Sequence, residues 1–408
     1  MNRSLLKKYA RLVARVGANV GGGDNVLINT SLEGVDLARL ICEECYRLGA
    51  RKVHVNYNDR TVSRLKMLNE DVETLTDIPS FVADMKNSFT DPDCVVIQIL
   101  SDDPHLYDGV EPSKLAAYSK AADKAFKRYY DCAMTNKIRW TLCAVPCREW
   151  AKTVFPDDAP AVAERKLWGL IVKTMRLDER DAIAAWEAHC SDLISRSAWL
   201  TGQKFTALRY TNSLGTDLTV GMPEGYYFSG AREPALCGKY FCANMPTEEV
   251  FSLPDRNRVD GIVYASMPLV HDGNIVDKFW LKFEKGRIVD FGAERGEEIL
   301  RNVIETDEGS HYLGEVALVQ YDSPIRALNT LFFDTLFDEN AACHLAIGQA
   351  YPLIEGADRM TEEELAARGA NSSNEHVDFM IGTRDLNIDG IKQDGSVVPV
   401  FRHGNFAF

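Results

Sequence analysis

The sequence predicts two parts: an α/β N-terminal domain with parallel strands over residues 1–200, then a β-rich α+β domain over residues 201–408. Three observations carry this. At 408 residues the chain is too long for one small core. Its first half alternates short apolar runs with stretches of helical periodicity, the signature of β-α-β units. Beyond about residue 200 the helices thin out, and alternating or apolar runs are separated by hairpin turns.

The opening stretch MNRSLLKKYARLVARVGANV places Leu5, Tyr9, Leu12, Val13 and Val16 at helical spacing with Lys and Arg between them. It lacks the apolar core of a signal peptide. Gly21-Gly22-Gly23 reads as a turn before a strand at 26–30. A helix over 34–48 follows, closed by Gly49 as C-cap, and then a strand at 52–57. Such a unit pairs its strands in parallel through a right-handed crossover. Further strands are expected at 94–100 and 139–146, and helices at 112–131, 160–177 and 179–200. The glycines precede a strand rather than join strand to helix, and there is no G-x-G-x-x-G or Gly-Lys-Ser/Thr loop, which argues against nucleotide binding.

In the second half, turns are expected at Asn212–Thr216, Lys285-Gly286 and Asp394-Gly395. GIVYASMPLV, FWLKFEKGRIVDF, YLGEVALVQ and VVPVFRHGNFAF supply strands. Helices are expected at 296–308 and 360–369, the second with Thr361 as N-cap, Glu364 in the capping-box position and Gly369 near its end.

Composition narrows the function. Hydrophobic content of 46% and charged content of 26% are ordinary for a soluble enzyme. A net charge of -14 argues against nucleic acid, whose phosphates require concentrated Lys and Arg, and is compatible with cations or amine-bearing substrates. No apolar run reaches about 18 residues, so no membrane span is expected and the location read is cytoplasmic. The ten cysteines, including Cys42-x-x-Cys45 and Cys143-x-x-x-Cys147, read as reduced thiols, since Cys45 lies on an apolar helical stripe and no second pair has matching spacing.

The chemistry concentrates between Glu339 and Asp378. In HVDFMIG, strand alternation sends His376, Asp378 and Met380 to one face and Val377, Phe379 and Ile381 to the other. An imidazole and a carboxylate side by side on a strand suit a divalent metal, although a core histidine bonded to Asp378 is the plain alternative. Glu315 lies inside the apolar strand YLGEVALV, where a carboxylate is costly unless it is paired or binds a cation. Glu248 and Glu249 are adjacent, so an extended backbone points only one of them into a given pocket. Glu339 and His344 follow in ENAACH, with Tyr351 just beyond. Glu249, Glu315, Glu339, His344, His376 and Asp378 together form a donor set of four carboxylates and two imidazoles. That set matches a two-metal site, and mixed N/O ligation suits Zn²⁺, Co²⁺ or Mn²⁺ better than Ca²⁺ or Mg²⁺.

The segments NMPTEEVFSLPDRNRVDG, YLGEVALV, LFFDTLFDENAACHLAIGQAYP and NSSNEHVDFMIG, with the terminal PVFRHGNFAF, resemble the thermophilic-type metallo-aminopeptidases, the family of aminopeptidases T, S and II. The N-terminal pattern VGANVGGGDNVLINTSLEGVDLARLICEECYRLGARKVHV is similar as well, so the resemblance spans nearly the whole chain. It implies a metal-dependent hydrolase that releases N-terminal residues from peptides with a free amino terminus, acting as a homodimer. The matching metal-ligand positions are Glu249, Glu315, Glu339, His344, His376 and Asp378. The resemblance further implies two divalent ions, drawn from Zn²⁺, Co²⁺, Mn²⁺ or Mg²⁺. Tyr351 matches a tyrosine that lines the site and assists catalysis. Glu315 is chosen as the bridging carboxylate for its enclosed strand setting, and Glu315 or Glu248 as the proton acceptor. Two alternatives remain: a non-catalytic metal- or peptide-binding protein on the same fold, and another dinuclear hydrolase. A phosphoesterase is disfavoured because the candidate site lacks nearby Arg or Lys clamps for phosphate.

Overall fold

The computed structural model describes residues 1–101, 103–271 and 274–408. The chain forms two compact units. One comprises Met1–Ala188 with Arg232–Pro246, the other His189–Ala231 with Thr247–Phe408.

In the first unit, four strands pair in parallel in the order Lys52–Asn58, Asn25–Ser31, Cys94–Leu100, Arg139–Ala144. The two central strands are continuously apolar over Val26–Ile28 and Val95–Ile97, and all these residues are buried, as parallel strands covered on both faces require. Helix Val35–Arg47 makes the crossover between the first two strands, and Gly49 ends it at φ +93°, a left-handed conformation that suits glycine. The glycine-rich turn is held by Gly23 N–H donating to Gly49 O at 3.0 Å. Behind it, the buried Arg139 guanidinium meets Asp24 at 2.6 Å.

In the first unit, four short helices among the described residues go beyond the sequence expectation: Arg60–Asn69, Val72–Thr76, Ser80–Asn87 and Arg148–Val154. The first two start at aspartate caps, Asp59 and Asp71, which accept backbone N–H groups of the first turn. Each of these two buries a single side chain, Met67 or Leu75, so the apolar periodicity that marks a helix in sequence is nearly absent. Among the described residues no helix is long and apolar enough to cross a membrane.

The second unit is built on two antiparallel sheets. The larger has nine strands among the described residues and contains the three expected hairpins, 207–221, 274–295 and 387–402. Lys285 and Gly286 both have positive φ, 49° and 86°, which closes a two-residue hairpin with the right twist. The smaller sheet has the order His376–Met380, His344–Gly348, Leu313–Leu318, Val250–Ser252, Ser229–Gly230. The short helix Glu362–Ala367 carries the capping box expected from Thr361 and Glu364.

Candidate metal centre

The smaller sheet positions the candidate residues through its register. Residues directly opposite one another in an antiparallel pair share a face. Asp378 lies opposite Ala346, and Ala346 lies opposite Glu315. In the next row Met380, His344, Ala317 and Phe251 face one another in turn. His376 lies opposite Gly348. Ligand-type side chains therefore alternate with alanine and glycine on one face, which leaves space between the donors. A register shift between Leu313 and Glu315 brings Glu315 into this array.

The distances follow from that lattice. His344 Nε2 is 3.2 Å from Glu249 Oε2 and 3.6 Å from Glu315 Oε1. His376 Nε2 is 3.6 Å from the other Glu315 oxygen, Oε2, and 3.4 Å from Asp378 Oδ1. Single donor atoms of Glu249, Glu315 and His344 lie within 4.8 Å of one another, as do those of Glu315, His376 and Asp378. Glu315 belongs to both groups. Glu339 enters from the single-turn helix Glu339–Ala341, where Asn340 Nδ2 donates to its Oε1 at 3.2 Å.

Both imidazoles are held by their Nδ1 atoms. His344 Nδ1 lies 3.0 Å from Ala342 O, and His376 Nδ1 lies 2.7 Å from Gln349 O. A carbonyl can only accept, so Nδ1 carries the proton and Nε2 points at the carboxylates, the tautomer a metal-binding histidine needs. Beyond His376, Asn371 donates to Gly348 O at 2.6 Å, and Asp307 accepts from Ser373 Oγ at 2.8 Å and Asn374 N at 2.7 Å. These contacts fix the loop that leads into the His376 strand.

The cluster is electrostatically short of positive charge. Burial raises the Glu339 carboxyl well above the usual range, and the Glu249, Asp378 and Glu315 charges push the same way. Burial also raises Glu315, against the pull of His344 and His376. Burial opposes charging of His344, yet its hydrogen bonds to Glu249 and Glu315 outweigh this and raise it well above the ordinary value. His376 is likewise opposed by burial and lifted to about 10 by Asp378 and Glu315. Asp378 Oδ1 is buried and makes no hydrogen bond beyond its 3.4 Å ion-pair contact with His376 Nε2. Buried carboxylates forced towards protonation, imidazoles forced towards the cation and a carboxylate oxygen left with that one contact all fit a divalent cation where protons otherwise sit.

Tyr351 is half-buried. Its ring packs edge-on against His376 at 5.6 Å between centroids and against Phe251 at 5.9 Å. Glu248 is buried and lies 3.6 Å from His189 Nε2, which also contacts Thr247 O at 2.8 Å. His189 carried no sequence signal, since it sits mid-helix in EAHCSDL without a characteristic spacing. Asn340, wholly buried, was legible only as the polar neighbour of Glu339.

Residues 2–406 match the family described as thermophilic metalloprotease (M29). The chain is 44% identical to aminopeptidase AmpS of Bacillus subtilis (strain 168), covering 99% of this chain and 98% of that protein. It is 41% identical to aminopeptidase PepS of Streptococcus thermophilus, over 98% of this chain and 97% of the relative. The solved structure of wild-type AmpT from Thermus thermophilus superposes with a TM-score of 0.92 at 37% identity, covering 100% of both chains. The chain therefore belongs to the M29 thermophilic metalloprotease family.

Proposed function

We propose that this chain is a metallo-aminopeptidase that hydrolyses N-terminal residues from peptides at a dinuclear site in its β-rich part. The observation that carries the dinuclear reading is Glu315, whose two oxygens each lie 3.6 Å from a different imidazole. Glu249 and His344 would hold one ion, His376 and Asp378 the other, with Glu315 shared and Glu339 completing the set. Divalent ions in such a site polarise a carbonyl and acidify water. The mixed N/O donors favour Zn²⁺, Co²⁺ or Mn²⁺, with Mg²⁺ the weaker fit.

The protein's own groups then divide the work. Nδ1–H bonds to Ala342 O and Gln349 O keep both imidazoles oriented through the cycle. A carboxylate, Glu315 or Glu248, takes the proton of the attacking water and returns it to the leaving amine. The Tyr351 hydroxyl, on a ring packed against His376, donates to the oxyanion. The excess of carboxylates also suits the α-ammonium group of a substrate with a free amino terminus. Residues 201–408 form the catalytic domain in this reading, with 1–200 as the accompanying α/β domain. The resemblance to the family supports a homodimer. The chain carries ten cysteines as thiols, a composition compatible with the cytoplasmic location proposed for it.

Chelator-treated protein is expected to lose turnover of leucyl-p-nitroanilide and regain it with Co²⁺ or Zn²⁺. Full turnover after verified metal removal would contradict the proposal.

A further inference from the structure

We propose that Asn340 is a positioning residue that locks the two ligand-bearing segments Glu248–Glu249 and Glu339 into one register, and so sets metal affinity. This rests on the metal-site reading above. Asn340 is 0% exposed, and its side chain is committed at both ends. Its Oδ1 accepts from Glu248 N–H at 2.7 Å, while its Nδ2 donates to Glu339 Oε1 at 3.2 Å and to Leu336 O at 3.0 Å. The backbone is tied too: Ser323 Oγ donates to Asn340 O at 3.1 Å.

The chemistry requires an amide. One end must accept, because it faces a backbone N–H. The other must donate, because it faces a carboxylate and a carbonyl. Aspartate would keep the first contact and place an acceptor against Glu339. Alanine would leave the buried Glu248 N–H and Glu339 Oε1 without this partner. The two segments that Asn340 joins are some 90 residues apart in sequence, and Glu248 N–H is held 92 positions from its acceptor. Glu249 follows the anchored residue directly, so a shift of Glu248 is passed to the ligand 3.2 Å from His344.

The test uses chelator-stripped full-length wild type, Asn340→Asp and Asn340→Ala, titrated with Co²⁺ against a competing chromophoric chelator. Co²⁺ visible absorption is recorded because it reports the ligand field. Both variants are expected to bind Co²⁺ about 10–100-fold more weakly than wild type, the usual cost of losing a group that orients a ligand. Their visible bands should change in position or intensity. Circular dichroism selects folded protein. If Asn340→Asp fails to fold, Asn340→Ala, which only removes atoms, makes the same comparison. Wild-type affinity and an unchanged Co²⁺ spectrum in a folded variant would overturn the proposal. Wild type that binds no Co²⁺ would instead overturn the metal-site reading on which it rests.

Discussion

Ala346→Leu should abolish metal binding while leaving the second unit folded. Ala346 is fully buried and stands between Asp378 and Glu315 in the sheet register, with His344 two residues before it on the same strand and face. Directly opposed Cβ atoms in an antiparallel sheet are only about 4.5–5.5 Å apart. A leucine there extends into the space where the carboxylates and imidazoles converge. The packing cost is about 1–3 kcal/mol, which at roughly 2–4 °C per kcal/mol lowers Tm by about 2–12 °C. Affinity should fall by more than the ~100-fold expected for an orienting group, because the space for the ion is itself filled. Ile347→Val is the control. Ile347 is buried on the opposite face of the same strand, so it should cost ~0.5–1.5 kcal/mol with metal content unchanged. Elemental analysis and thermal melts of both variants check this. Full metal content in Ala346→Leu would refute the lattice argument.

Other expectations follow from the same geometry. Chelation should lower Tm by about 5–10 °C per ion, since an ion at 100 times its Kd contributes ~2.7 kcal/mol; an unchanged melt would argue against any structural ion. Tyr351→Phe should reduce kcat with little change in KM, because an oxyanion donor acts in the transition state; an equal loss confined to KM would assign the hydroxyl to substrate binding. Of Glu248→Gln and Glu315→Gln, the variant that loses the acid limb of the kcat–pH profile while keeping its metal identifies the proton acceptor. Burial would raise the Asp307 carboxyl, but the donors of Asn374 and Ser373 win and hold it below its ordinary value. A depressed carboxylate stabilises above the unfolded-state range near ~3.9, and that stabilisation is lost as pH falls through the lower folded value. Asp307→Asn should therefore cost about 1.5 kcal/mol at neutral pH and less near pH 3, measured by urea unfolding; an equal cost at both pH values would contradict the assignment.

Much of the fold was legible because its signals are local. The crossover Asn25–Asn58 announces itself by apolar runs, a helical stripe and Gly49, and three hairpins of the larger sheet by their turn residues at 212–216, 285–286 and 394–395. Helices such as Val72–Thr76 were not legible, since a single buried leucine leaves no periodicity to read. The excursion of Arg232–Pro246 into the first unit is set by long-range contacts that no local pattern encodes. At the site, residue types were legible where their burial is costly, as for Glu315 in an apolar strand. Their convergence was not, because it depends on register across strands up to 130 residues apart and on the shift beside Gly314. His189 and Asn340 reach their neighbours through hydrogen bonds to backbone or carboxylate groups, and such bonds have no spacing of their own.

The central claim is that Glu315 joins two ions in one hydrolytic site. The direct measurement is a Co²⁺ titration of chelator-stripped protein, followed simultaneously by bound metal and by leucyl-p-nitroanilide turnover. A dinuclear site should give no turnover without metal, saturation at two ions per chain, and loss of the second equivalent in Glu315→Ala. Saturation at one ion with full activity, or turnover by metal-free protein, would contradict it.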